Sequence, residues 1–520
     1  MPGSLSVVHR RRAGAWLAAL AALTGCSRQE PPGASGEEEP APSVVVAGST
    51  APARPSAVPQ ASAAASAPPR EGEMPIGPEY EVAAEGAPLV AAVARPVWIY
   101  DGPETSFKRL GYLNPGMTLR RAEQPVVRTP RCRGGWYRVA PRGFLCMNSE
   151  VTGDLAHPVA VAYTKQARRG EPLPYVYGRV RNHLAARYAK APSLQEQRRT
   201  EGDKLDEHLS GVSRLNQISI TGPPSPLPPF LAGGQFLPKA KNVTHQGRVG
   251  PHRGFGAAHS SFAFFEVYEV HNRLFGLSTD LDLVPLDRLT LASPSKIHGG
   301  PIADLPAGIV QKGPTPRFRF EGDRPVQDGM LDAYETVALT GNSRNEFLEL
   351  PGGGWVHGKA LYVVPKRTSW PGFLKEGDER KWIDVSLREQ TLVAYEGRRA
   401  VYVTRVSTGV GGEGDPETSH ATIKGMYRVQ SKHVTATMSG DRAEGSDYSL
   451  SDVPYVLYFH HDYALHAAYW HEKFGTPRSH GCVNLAPVDA AWIFEWTDPP
   501  VPPEWHGMEA NGEGTLVFTH

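Results

Sequence analysis

Apolar and polar positions alternate in short runs from Leu89 onward, and a two-residue period predicts a chain built mainly of β-strands. Leu89-Val-Ala-Ala-Val, Val97-Trp-Ile-Tyr, Leu113-Asn-Pro-Gly-Met-Thr-Leu and Gly135-Trp-Tyr-Arg-Val are strand-like. Asp101-Gly-Pro, Asn114-Pro-Gly and Arg133-Gly-Gly punctuate them as turns, since glycine and proline supply the dihedrals of tight reversals. Short strands between such turns predict a small barrel over residues 87–152. The same pattern returns at Ser261-Phe-Ala-Phe-Phe-Glu-Val-Tyr-Glu-Val, Lys381-Trp-Ile-Asp-Val-Ser-Leu, Thr391-Leu-Val-Ala-Tyr-Glu-Gly and Ala400-Val-Tyr-Val-Thr-Arg-Val, with Leu516-Val-Phe as a closing strand. Helical spacing replaces it in two places. Residues 193–209 are polar and predict a surface helix. Pro487 to Trp496 begins on a proline suited to a first helical turn and carries Val488, Ala491, Trp492 and Ile493 or Trp496 on one apolar face.

Two stretches change this picture by composition. Residues 26–86 are rich in Pro, Ala, Ser, Gly and Glu and almost lack aromatics, so they cannot bury enough apolar surface to offset their ordering entropy; they read as a disordered tether. Residues 153–304, with a proline-rich connector at 222–229, carry no chemistry legible from their residues. Residues 305–366 echo the first barrel, Lys312-Gly-Pro against Asp101-Gly-Pro and Gly353-Gly-Trp-Val against Gly134-Gly-Trp-Tyr. A second barrel-like module and coincidence in a glycine-rich chain both account for that echo.

Arg10-Arg11-Arg12 precedes a short apolar run, residues 13–23, and then Thr24-Gly25-Cys26. A basic start, an apolar stretch too short to span a bilayer and small residues at its end read as an export signal, residues 1–25. Leu23-Thr24-Gly25-Cys26 resembles the bacterial lipobox, which implies lipidation of Cys26 and attachment to a membrane. Ser27 in place of aspartate then implies the periplasmic face of the outer membrane of a Gram-negative bacterium. Export places the chain in an oxidising compartment, where Cys132 and Cys146 suit a hairpin-type disulfide worth about 3 kcal/mol by loop closure. Fifty-five Lys and Arg against 54 Asp and Glu leave a net charge of +1, which makes no field for nucleic acid.

With those pairings made, Cys482 is the one cysteine left over, and an unpaired thiol in an exported chain asks for a chemical reason. It follows Ser479-His480-Gly481, with His466 upstream. A thiol near histidines is the raw material of a nucleophile, and glycine before it lets backbone N–H groups turn toward a developing oxyanion. The rival reading is zinc, because His460, His461, His466, His471 and His480 crowd the same stretch. The four residues between His466 and His471 do not exclude it, but a single cysteine argues against a structural zinc site, so no metal and no cofactor is assigned. His460, His461 and His471 are read as accessory or surface histidines.

The order His466, spacer, Ser479-His480-Gly481-Cys482, Val483, Asn484 resembles the signature of the L,D-transpeptidase catalytic domain (YkuD type). Upstream, the strand pair ending in Ser407-Thr-Gly resembles that family's opening. Ile423 stands where the family usually has proline, and Ala467 where many members have Gly or Ser, a position at which only the backbone is expected to matter. The resemblance covers residues 376–520 and implies a mostly-β, sandwich-like catalytic domain. It implies Cys482 as acyl-enzyme nucleophile and His466 as its base, with His480 also in the site. Ser479, Gly481 and Asn484 would shape it, with backbone N–H groups around Gly481 and Cys482 as oxyanion hole. Met438 and Tyr448 fall where the family has a cover over the site and, with Trp470, are expected substrate contacts. Residues 87–152 resemble a bacterial Src-homology-three-type barrel that accompanies wall enzymes.

That resemblance implies a peptidoglycan L,D-transpeptidase acting on stem peptides, with a second stem or a protein amine as acceptor. Two other classes stay open: an L,D-carboxypeptidase, in which water takes the acyl group, and a non-catalytic wall-binding lipoprotein.

Overall fold

The computed structural model describes residues 77–180, 184–210, 212–241, 251–311, 313–416, 418–439 and 449–520, all within one compact unit. The leader, Cys26, most of the tether and Tyr448 lie outside the described residues. The architecture is mostly β, as the alternation predicts. No described helix is long and apolar enough to cross a membrane.

Residues 376–520 form two packed sheets. The first runs in the order Gly300–Pro301, Arg399–Arg405, Thr391–Glu396, Lys381–Ser386, Leu516–Thr519, Gly425–Arg428. The closing strand is therefore central, parallel to Lys381–Ser386. The second contains Ser431–Ser439, Ser449–His460, Tyr463–Ala467, Val483–Leu485 and Gly507–Glu509. Helix Pro487–Trp496 packs on it through buried Ala490, Ile493 and Phe494, while Trp492 stacks on Tyr402 with ring centroids 4.1 Å apart. These aromatics are core. Asp489, in the helix's first turn, accepts hydrogen bonds from Tyr402 and Thr404 of the first sheet and from the Gly299 N–H, so one buried carboxylate ties helix, sheet and preceding linker together.

Residues 87–152 form short strands, and Cys132 and Cys146 are joined. The module has a core of its own around Tyr100, Val126, Cys132, Trp136 and Phe144, and a second apolar face that the catalytic-domain residues cover. Val90, Ile99 and Leu113 share one hydrophobic cluster with Ile383, Val385, Leu457, Trp505 and Met508. Arg109–Leu113 also pairs with Gly507–Glu509, setting Gly111 opposite Met508. The pairing requires glycine, because a Cβ at Gly111 would stand 2.3 Å from the Trp505 ring.

The helix expected at 193–209 is two helices, Leu194–Glu201 and Lys204–Ser210. Ser193 and Glu196 form a capping box at the start, and Gly202, at φ +63°, ends the first helix in the left-handed region. Ser261–Val270 is the expected strand. Residues 305–366 do form a small β module, with two sheets around Val310, Leu331, Leu350 and Val356.

Two predictions follow from these cores. Gly111→Ala should destabilise the chain by about 1–3 kcal/mol through overpacking. Calorimetry should show residues 87–152 and 376–520 melting in one shifted transition; separate melting with only one affected would contradict the shared core. The second concerns acid. Burial lowers His433 to about 3 and His466, His471 and His506 to about 4, so the folded chain holds them neutral. The unfolded chain binds those protons from about pH 6.5 downward, so stability should fall between about pH 6.5 and 4. Asp489, raised to about 6 by burial, opposes this, as do Asp280 and Glu509, which burial also raises. A thermal midpoint that does not drop from pH 7 to pH 5 would contradict the balance.

Candidate active site

The site is assembled by strand register. Tyr463–Ala467 runs parallel to Val483–Leu485, with His466 opposite Asn484, so Cys482 enters the sheet one position before the pairing begins. The loop before it is held from the other side. Ser407 and Asn484 exchange backbone hydrogen bonds, 2.9 and 2.8 Å, Ser479 N–H donates to Thr408 O, and Val410 N–H donates to Ser479 O. Thr422 Oγ1 donates to Gly481 O at 2.7 Å, and the Gln390 carboxamide donates to Thr408 Oγ1 at 2.6 Å. Gly481 sits at φ +125°, and a Cβ there would lie 2.8 Å from the Tyr463 ring. Glycine is required on both counts.

One expectation changes here. Gly481 N–H donates to Ser479 Oγ at 3.1 Å, and Ser479 Oγ–H donates to Cys482 O. A serine hydroxyl taking a nearby backbone N–H is a local turn preference of that residue type. Gly481 thus contributes backbone conformation, and its own N–H is already engaged.

Cys482 is half-buried and packs, with Met438, Tyr458 and Trp470, against Val453, Val456 and Ala464. Sγ lies 3.5 Å from Asp462 O. Burial pushes the thiol up to about 11, although the Ala464 backbone pulls the other way. His466 is 3 % exposed, and burial lowers it to about 4. Its Nδ1 is 3.1 Å from Ala467 O, a group that can only accept, so Nδ1 carries the proton and Nε2 keeps the lone pair. The backbone of residue 467 is therefore what matters there. The resting state is a neutral thiol and a neutral imidazole poised as a base.

Met438 and Trp470 are both brought to the apolar cluster that holds Cys482. Trp470 also lies over His466, ring centroids 5.8 Å apart. His480 is exposed, with its ring edge-on to His420 at 4.7 Å. His471, read as accessory, is half-buried with Nε2 3.2 Å from the Asn484 carboxamide. Lys473 N–H donates to His471 Nδ1, so Nε2 carries the proton and the facing carboxamide atom must be oxygen. Thr408, Thr422, Gln390 and Tyr463 also escaped sequence reasoning; only the Ser407-Thr-Gly run offered a signal. Among the described residues no group of three or more His, Cys, Asp or Glu could hold a metal ion.

A neutral thiol has a kinetic signature. Alkylation of Cys482 by iodoacetamide, followed by intact mass, should keep accelerating up to about pH 10, because the thiolate fraction is still growing there. A plateau below pH 8 would mean a resting thiolate and overturn this arrangement.

Comparison with known proteins places a family domain over this part of the chain. Residues 380–517 match the L,D-transpeptidase catalytic domain, YkuD. A Bacillus subtilis protein described as a putative L,D-transpeptidase, YciB, is 30 % identical over 119 residues, covering 22 % of this chain and 59 % of its own length. Among solved structures, an Enterococcus faecium L,D-transpeptidase matches at 21 % identity over 31 % of this chain and 56 % of its own, TM-score 0.22. One from Stackebrandtia nassauensis matches at 26 % identity over 30 % of this chain and 61 % of its own, TM-score 0.20. The chain thus spans less than two thirds of these relatives, and neither overlay defines the fold of the whole molecule. What the sequence match establishes is an L,D-transpeptidase (YkuD) catalytic domain at residues 380–517.

Proposed function

We propose that the protein is a peptidoglycan L,D-transpeptidase working through a thioester on Cys482. The observation that carries this is the His466 tautomer: Ala467 O fixes the proton on Nδ1, leaving Nε2 basic in the strand beside the nucleophile's. In the forward step His466 Nε2 takes the Cys482 proton as Sγ attacks the carbonyl of the third residue of a tetrapeptide stem. The C–N bond to the terminal D-alanine breaks, and His466 returns the proton to that amine. An acceptor amine then attacks the thioester, giving its proton to His466 and releasing Cys482. Both groups are shifted toward their neutral forms, so proton transfer belongs to the attack itself.

The surroundings of Cys482 favour an amine over water as acceptor, since Met438, Tyr458 and Trp470 make the approach apolar. The Cys132–Cys146 bond supports export to an oxidising compartment. Lipidation at Cys26, a membrane-held tether and a protein acceptor belong to the same proposal.

Incubation with a carbapenem should give a covalent adduct on Cys482, seen by intact mass and peptide mapping, and Cys482→Ala should abolish it. His466→Ala should slow acylation by about 10²–10⁴-fold without unfolding the chain. An adduct at full rate in Cys482→Ala would refute the nucleophile. With tetrapeptide muropeptides, cross-linked product supports transfer, and loss of D-alanine alone makes the enzyme a carboxypeptidase.

A further inference from the structure

Residues 153–304 carry no catalytic motif, yet they reach the site at its most sensitive side. Ser261, at the start of strand Ser261–Val270, pairs in parallel with Leu450 of Ser449–His460, and Ser449 N–H donates to Ser260 Oγ at 3.1 Å. Two residues on, Asp452 takes φ +47°, a left-handed conformation that turns its carbonyl aside. The fully buried Tyr177 donates its hydroxyl to that carbonyl at 2.7 Å. The Tyr177 ring lies against Tyr469, centroids 4.4 Å apart, and Tyr469 OH is 2.6 Å from Ser261 Oγ. Tyr469 is three residues beyond His466 and adjoins Trp470.

The neighbouring Tyr469 and Trp470 rings meet edge to face, centroids 5.1 Å apart. Tyr469 packs with Tyr177 and Ala263, and Trp470, in contact with that cluster, also packs against the Val453, Val456 and Ala464 cluster that Cys482 joins and lies over His466. Both Tyr469 and Ser261 are buried, so neither hydroxyl can exchange its partner for bulk water. The segment Ala467–Trp470 holds the His466 tautomer at one end and this contact at the other. Anything that fixes Tyr469 therefore fixes how Trp470 lies over the base.

We infer that residues 153–304 form the outer wall of the substrate site, and that the Ser261–Tyr469 hydrogen bond backed by Tyr177 positions Trp470 over His466. Ser261, Tyr177 and Tyr469 are positioning residues; none touches the reacting atoms. The accessory region is then part of the enzyme's catalytic unit. This inference rests on the reading of Cys482 and His466 as nucleophile and base.

The test uses the full chain and two reagents. Ser261→Ala and Tyr469→Phe each remove one side of the hydrogen bond. Each should slow carbapenem acylation of Cys482 about tenfold, while the double variant should be no slower than either single, because both remove the same interaction. Ser261→Thr, which keeps the hydroxyl, should restore most of the rate. Iodoacetamide, too small to need the wall, should alkylate Cys482 within about twofold of the parent rate in every variant. Circular dichroism and thermal midpoints confirm that each variant is folded at the assay temperature; should Ser261→Ala fail that check, Tyr177→Phe takes its place with the same expectation. Folded variants acylating at the parent rate would overturn the inference, as would effects that multiply in the double variant or a parallel fall in both reagents. If the parent chain forms no Cys482 adduct, the proposed function itself fails and this inference falls with it; an adduct on the parent with unaffected variants removes only the inference.

Discussion

Asp452 is a carboxylate with 2 % of its surface exposed, and the regions around it are arranged to keep that charge stable. Burial pushes its carboxyl up, but Arg95, Thr279, His506 and Thr435 outweigh burial and hold it below the ordinary range. Arg95, 3.7 Å away, comes from the first β module. Thr435, which donates at 2.8 Å, and His506 come from the catalytic sheets. The backbone carbonyl of Asp452 is taken by Tyr177 of the middle region. A buried charge tolerates few arrangements of its partners, so one residue constrains how three stretches of chain meet. The shared apolar cluster of Leu113, Leu457 and Trp505 then supplies the burial that favours their meeting.

The same low-polarity interior decides the chemistry. Burial disfavours charge, which raises an acid and lowers a base. It acts on Cys482 and His466 together and moves their pKa values apart, to about 11 and about 4. Both shifts favour the neutral forms of the two groups. Met438, Tyr458 and Trp470 pack against the same apolar cluster as Cys482, which makes an apolar setting for the thioester proposed to form there.

Much of this was legible in the chain. Short apolar, β-branched and aromatic runs located the strands at 261–270, 381–386, 391–396 and 399–405, and 381–386 and 391–396 proved buried on both faces. Pro487 marked the helix start, and export with cysteine arithmetic paired Cys132 with Cys146. Other features were not legible. The break at Gly202 depended on one left-handed residue inside a polar helical pattern. His471 looked like a surface histidine because its partner, Asn484, is near it only through the pairing of strands. The Gly481 N–H looked free because the turn that engages it depends on where Ser479 points.

The sequence by itself determined the local elements, the thiol, its histidine and their order along the chain, since these follow from residue type and spacing. Tertiary structure alone decided three things. It packed one apolar face of the first β module onto the core of the catalytic sheets, it took up the N–H of Gly481, and it set Tyr177 and Ser261 against the segment that follows the base. The physical reason is that a strand's pattern records which face is buried and says nothing of what covers it. A hydrogen-bonding side chain likewise declares its need for a partner without naming which distant residue the folded chain will supply.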